Sequence, residues 1–468
     1  MSGLEAVELN LSELERTHRI DSEFYKKENL TVLSILDKTD HAPLTSYFTV
    51  SDGNHMSISH DFREEGIRYY RGADIYNFFI EEASPICISE KSYYLPVMKR
   101  SHLAKGDILM SIVGAIIGNI ALVRTNDRQT CSCKLAIMRP KKGSSSLMMA
   151  VYLKTKYAQN QIQKFRRGAA QTGFLLEDAD QVIMPVFSSD FCERIEKVVE
   201  NMNAVTEQST SVYVAAEKLL LQALGLNDFT PSIDPVAVKS FAESFGASGR
   251  LDAEYYQPKH EEVLTATRKN KTSILSDLVT VKKSIEPGSA EYTDEGIPFL
   301  RVSDITKFGI TNPEIHLNRI PYANMGLQPK KDTILFTKDG TVGIAYKTEK
   351  DLDIITSGAV LHLTVKDKKG LLPDYLTLVL NSMIVQMQAE RDTGGSVIVH
   401  WRPSDISNVV IPILDVPMQE KIAVAVQQSF EFRWQSEQLL DTAKQAVEMA
   451  IEQGEAAALK WLEVIDND

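Results

Sequence analysis

The sequence predicts a mixed α/β (α+β) fold. Two duplicated lobes are separated by two long helices that pack as an antiparallel coiled coil, with pseudo-twofold symmetry. Three observations predict it. The first is a long-range repeat: R-I-D-S-E-F-Y at 19–25 returns 231 positions later as R-L-D-A-E-Y-Y at 250–256. G-I-R-Y-Y-R-G-A-D-I (66–75) returns as G-I-P-F-L-R-V-S-D-I (296–305), and Gly168 as Gly394. D-A-D-Q-V-I-M-P-V (178–186) returns as D-I-S-N-V-V-I-P-I (405–413). A period of roughly 20–50 residues would mean a solenoid, whereas this one means two copies of a whole domain. The second observation is a run of short apolar segments in each half, which read as strands. The third is a heptad pattern that closes each half.

Each half begins with a short helical lead-in, 7–14 and 238–245. Strand-like runs follow, among them 106–123 and 332–346, then 135–138 and 359–365. Gly, Pro, Asp and Asn break these runs, as turns require. A helical patch comes next, 147–165 and 373–390. A glycine loop (166–173, 392–396) and a short strand ending in Pro185 or Pro412 complete each lobe. The heptad positions are 195, 198, 202, 205, 209, 212, 216, 219 and 223, repeated from 422 to 450 at a shift of 227. Many of them are Ser or Ala, which lets helices approach closely. Asp190 with Glu193, and Asp415 with Pro417, mark the helix starts. Gly225 marks the end of the first helix. The expected domains are 1–187 (first lobe), 188–228 (first spacer helix), 229–414 (second lobe) and 415–468 (second spacer helix).

Composition is that of a folded protein. The four cysteines lack metal spacing and fit a reducing compartment. No N-terminal apolar segment resembles a signal peptide, and the longest apolar run, 111–123, is too short to cross a bilayer. The expected location is cytoplasmic, with no membrane partner. Net charge is −12, but it is unevenly spread. Between Lys91 and Arg167 stand fifteen Lys or Arg against two acids, whereas 416–468 has ten acids against four bases. A basic lobe suits a polyanion, and acidic helices suit protein partners.

No catalytic constellation is present in the sequence: no phosphate loop, no dinucleotide fingerprint, no metal-spaced histidines. Binding chemistry is better represented. Arg68, Arg71, Lys91, Tyr93, Lys99 and Arg100 interleave bases with aromatics. Arg166, Arg167 and Gln171 flank the first glycine loop. The second lobe offers Lys282, Lys283, Arg301, Lys307, Lys338, His400, Trp401 and Arg402. Lys and Arg can neutralise phosphates, and Arg, Lys and Gln can pair with base edges. The candidate site is therefore a DNA-binding surface, with no catalytic and no metal residues. A protein–protein scaffold with no nucleic-acid role, or a stand-alone enzyme with an unrecognised site, are the alternative readings.

The order of lobe, helix, lobe, helix resembles the specificity (S) subunits of Type I restriction–modification enzymes. So does the passage V-I-P-I-L-D-V-P-M-Q-E-K-I (410–422) before a heptad helix. The first half keeps Pro185 and Glu193 of that passage but has Cys192 where the second has Gln419. The resemblance implies two target-recognition domains, each reading half of a split double-stranded DNA sequence. It implies spacer helices that dock methyltransferase subunits, two in number, and association with restriction/translocase subunits in antiviral defence. It also implies no cofactor on this chain, with S-adenosylmethionine, ATP and Mg on the partners.

Overall fold

The computed structural model describes residues 6–466 apart from 13, 15–18, 64, 81–85, 115, 169–171, 235, 294, 312, 314, 323–324 and 395–398. The chain divides into two units, residues 1–204 with 435–468, and residues 205–434. Each contains one strand-rich lobe and one half of each long helix.

In the first unit, α1 (Lys27–Leu36) precedes strands β1 (His41–Pro43), β2 (Phe48–Asp52), β3 (Ile67–Tyr70) and β4 (Cys87–Ile88). Then come β5 (Ile108–Ser111), β6 (Ile120–Leu122), β7 (Gln129–Cys131) and β8 (Leu135–Pro140). The main sheet has the order β2-β8-β5-β6, all antiparallel, and a smaller sheet has the order β4-β3-β7. Helices α2 (Ser146–Lys154) and α3 (Lys156–Lys164) cover the main sheet's core, and β9 (Ile183–Pro185) pairs with β1. The long α4 (Ser189–Ala223) follows.

The second lobe repeats this plan. It comprises α5 (Pro258–Thr267), β10 (Thr272–Ile274), β11 (Val279–Lys283), β12 (Tyr292–Thr293), β13 (Ile297–Leu300), β14 (Ile305–Thr306) and β15 (Gly309–Ile310). Next are β16 (His316–Leu317), β17 (Ile334–Thr337), β18 (Ala345–Lys347), β19 (Ile355–Thr356) and β20 (Val360–Val365). Helices α6 (Pro373–Asn381) and α7 (Met383–Asp392) and strand β21 (Val410–Pro412) complete it. The main sheet, β11-β20-β17-β18, has the order of its counterpart. The long α8 (Val416–Gln453) and a short α9 (Glu455–Ile465) end the chain, separated at Gly454 with φ +92°.

Three details differ from the sequence reading. The helical patches are each two helices, because Thr155 and Ser382 take extended dihedrals and bond the preceding turn's carbonyls. The first long helix is capped two residues before the expected position: Ser188 Oγ accepts the Phe191 N–H, leaving Asp190 inside the first turn. The second lead-in is not a helix over 238–245. Only the single turn Phe245–Ser248 is helical, and Val238 and Phe241 are exposed. Of the first lead-in, Leu11, Ser12 and Leu14 are helical and Glu13 lies outside the described residues.

The R-x-D-x-E-x-Y repeat has one local structure made twice. Arg19 clasps Asp21 with two hydrogen bonds while Tyr25 donates to the Arg19 carbonyl. Arg250 clasps Asp252 likewise, and Tyr256 donates to the Arg250 carbonyl. Each guanidinium stacks over the neighbouring ring, Phe24 or Tyr255, at 4.5 Å. The paired guanidinium holds both carboxyls below the ordinary aspartate range.

The long helices pack together with opposed direction in each unit. In the first, Ser436 Oγ donates to the Met202 carbonyl at 3.3 Å. Residues before Met202 (Ile195, Val198, Val199) share a core with residues after Ser436 (Ala443, Ala446, Val447, Ala450). In the second, Ser209 and Ser429 exchange hydroxyl-to-carbonyl bonds, both 2.8 Å. Tyr213, Ala216 and Leu220 there share a core with Ile422 and Val426. The seam admits close approach because these serines are small and buried, with their hydroxyls satisfied. Ser209→Leu is therefore expected to lower stability by about 1–3 kcal/mol through overpacking, read as a drop in Tm. A Tm unchanged from the parent would mean the seam is loose there.

Candidate nucleic-acid interface

In each lobe three segments meet at one end of the main sheet. In the first, the turn after β5 runs from Ile112 to Gly118, with Gly114 and Gly118 at φ +83° and +92°. Ile112 N–H reaches the Lys134 carbonyl just before β8. Arg167 and Gly173 pair with each other through their backbones, and Phe174 N–H returns to the Ile112 carbonyl. In the second lobe, Lys338 N–H reaches the Ala359 carbonyl, Gly394 pairs with His400, and Trp401 N–H returns to the Lys338 carbonyl. These bonds set Arg167 against Gly394 as counterparts, one position from the Gly168–Gly394 match read in the sequence. They also align Phe174 with Trp401.

The first lobe brings Arg166, Arg167 and Lys134 to this loop cluster. Arg166 is exposed and, among the described residues, bonds the neutral side chains of Gln163 at 3.0 Å and Thr172 at 3.3 Å. Lys134 is also exposed. Gln171 lies outside the described residues. Arg167 is committed inward: its guanidinium pairs with Asp178, whose side chain is 1% exposed, and lies 4.0 Å from Glu177. Burial raises the Asp178 carboxyl's pKa above its ordinary value, and Arg167 opposes that rise. Arg167 is thus an ion-pair partner of the buried Asp178, with 38% of its side chain exposed.

The second cluster carries Lys338, Asp339, His400 and Arg402. Lys338 pairs with Asp339, which also accepts from or bonds His400 Nδ1 at 2.8 Å. His400 is 60% exposed and Arg402 70%, the latter 3.6 Å from Asp405. Trp401 is 1% exposed and packs on Phe336. It fills the core beneath the cluster, as Phe174 does in the first lobe, and direct contact with DNA is withdrawn for it.

The remaining candidates lie elsewhere in the lobes. Tyr93 is buried and stacks on His102 at 3.8 Å, so it too is corrected from interface to core. Its neighbour Tyr94 is the exposed ring, with Arg128 at 6.0 Å over it and bonded to its hydroxyl. Sequence reasoning missed Lys134 and Arg128. Lys91 and Lys99 are exposed, and Arg100, also exposed, pairs with Asp52. Arg68 is partly buried within β3. Arg71 and Arg301 occupy matched turns: each backbone N–H donates to an aspartate three residues on, Asp74 at 2.7 Å or Asp304 at 2.8 Å, and each guanidinium faces the same carboxylate. Lys282 and Lys283 are exposed on β11, with Lys282 donating to the Gly326 carbonyl. Lys307 lies over Tyr213 at 4.6 Å and 3.6 Å from Glu217, both on α4, so it joins lobe to helix within the second unit.

The 91–167 stretch is less bare than its sequence suggests. Arg139 makes two bonds to buried Asp107, and Lys156 pairs with Glu448 and Glu452 of α8. Lys154 is pushed down to about 8 by burial and then by Lys444. Among the described residues, Lys91, Lys99, Lys105, Lys134, Lys141, Lys142 and Arg166 are exposed bases of this stretch for which no such carboxylate contact is seen. Among the described residues no group of His, Cys, Asp and Glu could hold a metal, and no helix is long and apolar enough to cross a membrane.

Residues 268–439 match the family model for the Type I restriction modification DNA specificity domain. No curated protein matches the chain. A Type I restriction–modification S subunit from M. genitalium is similar over 89% of this chain and 96% of its own, at 12% identity and a TM-score of 0.35. The HsdS subunit from Thermoanaerobacter tengcongensis is similar over 88% and 96%, at 15% identity and a TM-score of 0.29. The matched domain holds β10 to β21 and most of α8, including the second loop cluster. Residues 268–439 thus carry the signature of a Type I restriction modification DNA specificity domain.

Proposed function

We propose that each lobe reads one half of a bipartite double-stranded DNA target, that the two loop clusters face the DNA, and that the helices set the gap. The observation that carries this reading is that the same loop cluster is built twice from matched backbone bonds, with different side chains on it. A duplicated frame with divergent residues suits two half-sites of different sequence. The helices dock methyltransferase subunits, two in number, and the assembly recruits restriction/translocase subunits. S-adenosylmethionine, ATP and Mg belong to those partners.

The apolar residues available for docking are fewer than the heptads suggest. Val199, Leu220, Val426 and Val447 are buried within the units, whereas Val424 and Trp434 are 63% and 60% exposed, and Val214 joins them at 54%.

The deciding experiment is a map of methylated adenines in cells carrying the parent or a chimera. Replacing residues 20–185 with the matching lobe of a relative is expected to change one half of the motif and leave the other. A chimera that alters both halves would defeat the two-reader scheme. Phosphate contact is tested separately. Arg166→Glu and Lys134→Glu are each expected to weaken binding to every duplex alike and to flatten the salt dependence by roughly one unit of slope. An unchanged slope in the folded variants would place the first cluster away from the backbone.

A further inference from the structure

The two loop clusters share a frame and carry different chemistry at three matched positions. The Val113–Gly173 backbone pair answers the Asp339–His400 pair. Gly114 N–H reaches the Thr172 carbonyl as Gly340 N–H reaches that of Val399. Phe174 N–H and Trp401 N–H return to the carbonyls of Ile112 and Lys338. Ile112, Val113 and Gly173 thus stand where the second lobe has Lys338, Asp339 and His400. In the first lobe the Ile112 and Val113 side chains pack with the core. In the second, the same frame carries a chain of polar groups. Lys338 Nζ and His400 Nδ1 bond the two oxygens of one carboxylate, Asp339 Oδ2 and Oδ1, the latter at 2.8 Å. Lys338 and Asp339 are partly buried, and the His400 ring is exposed.

This arrangement fixes what His400 can offer. An ionised carboxylate only accepts, so the ring donates from Nδ1. A neutral imidazole bonded in that way leaves Nε2, at the other edge of the ring, as a hydrogen-bond acceptor. Phosphates carry no donor, so such a nitrogen gains nothing from the backbone of a duplex. In the major groove it can accept from an exocyclic amine, N6 of adenine or N4 of cytosine, and it is opposed by the acceptors guanine O6 and thymine O4. A carboxylate on a face that meets DNA repels the phosphates. Lys338, on the other oxygen of Asp339, offsets that charge. Neither Val113 nor Gly173 has a polar side chain, so the first lobe builds no equivalent reader at this place.

We propose that His400 is a base-reading residue of the second lobe. Its Nε2 accepts from the exocyclic amine of one adenine or cytosine in that lobe's half-site, and Asp339 is the positioning residue that holds the ring for it. This rests on the reading that the loop clusters face the DNA, and narrows it to one residue, one groove and one class of base.

The test reads the map of methylated adenines in cells carrying the full-length chain or a variant. His400→Ala is expected to relax one position of the half-motif that the 20–185 chimera leaves unchanged, narrowing the preference for the cognate base there by roughly tenfold or more. His400→Arg, which replaces the acceptor with donors, should shift that position towards guanine. Asp339→Val, which copies the first lobe's residue, should relax the same position. Asp339→Asn, whose amide oxygen still accepts from Nδ1, should restore the discrimination that Asp339→Val loses. Methylation lowered on an unchanged motif is what a structural ring or a phosphate contact would give, and it overturns the proposal. So does relaxation confined to the other half. If His400→Ala does not accumulate in cells, His400→Arg and the Asp339 pair decide. The chimera keeps two failures apart. If it alters one half while the His400 variants keep the parent motif, this inference alone falls. If it alters both halves, the two-reader scheme falls and this inference with it.

Discussion

Arg167→Glu is expected to cost the first lobe much of its stability, while Arg166→Glu, one residue away, leaves it folded. Both arginines open the same glycine loop, and in the sequence they are indistinguishable. In the fold, Arg167 is the counter-charge of Asp178, a carboxylate with 1% of its side chain exposed and one oxygen without a hydrogen-bond partner. A glutamate at 167 would leave that charge unpaired and set a like charge beside it. Removing one member of a buried pair costs about 3–5 kcal/mol. Because the Arg167 side chain is 38% exposed, the lower end of that range applies. At roughly 2–4 °C per kcal/mol for a body of this size, Tm should fall by about 6–12 °C. Asp178→Asn in the Arg167→Glu background should recover part of the loss by removing the repulsion. The measurement is thermal unfolding of the three variants beside the parent. If Arg167→Glu melts with the parent, the pair contributes nothing and Arg167 returns to the list of surface bases. Loss of DNA binding in an Arg166,Arg167 double reversal is therefore no evidence of contact, and Arg166→Glu is the variant to read.

The contrast at 166 and 167 shows why parts of the interface were illegible. Local patterns were readable: the heptads announced the seam, and the long repeat announced two lobes, because both are sequence periodicities with a direct geometric meaning. The alternation of bases with aromatics at 91–100 pointed to a surface, yet Tyr93 faces inward and Tyr94 outward. A one-turn helix there (Glu90–Tyr93) has no period long enough to show its buried side. Trp401 follows an exposed His400, and only its counterpart Phe174, aligned by backbone bonds, marks it as core. Counting charge between 91 and 167 overstated the positive field, since the acids that balance it come from Asp52, Asp178, Glu448 and Glu452, outside the window. The Cys192–Gln419 difference was visible as a mismatch in a motif.

Inserting one heptad into both long helices is expected to lengthen the gap in the DNA target without changing either half-site. The insertion points are after Val205 and after Phe432. Each lies between two bonded seam positions, Met202 and Ser209 on α4, Ser429 and Ser436 on α8. Met202 meets Ser436 and Ser209 meets Ser429, so a step of seven residues forward on one helix is seven back on the other. The two insertions therefore fall opposite each other and add one further layer, leaving every existing pair intact. Seven residues add roughly 10 Å of helix, about three base pairs of duplex at the rise of B-DNA. The gap should grow by at most about three base pairs, less if the helices run oblique to the DNA. Inserting a single residue after Val205 alone is the matched control. It turns all that follows by about 100°, carrying Ser209, Tyr213, Ala216 and Leu220, each buried, out of the seam. That variant should lose its cooperative unfolding transition and its activity. The readout is the methylation motif of each variant in cells. An active heptad variant with an unchanged gap would show that the helices do not set the spacing. A single-residue variant that folds and methylates as well as the parent would show that the seam does not fix the register.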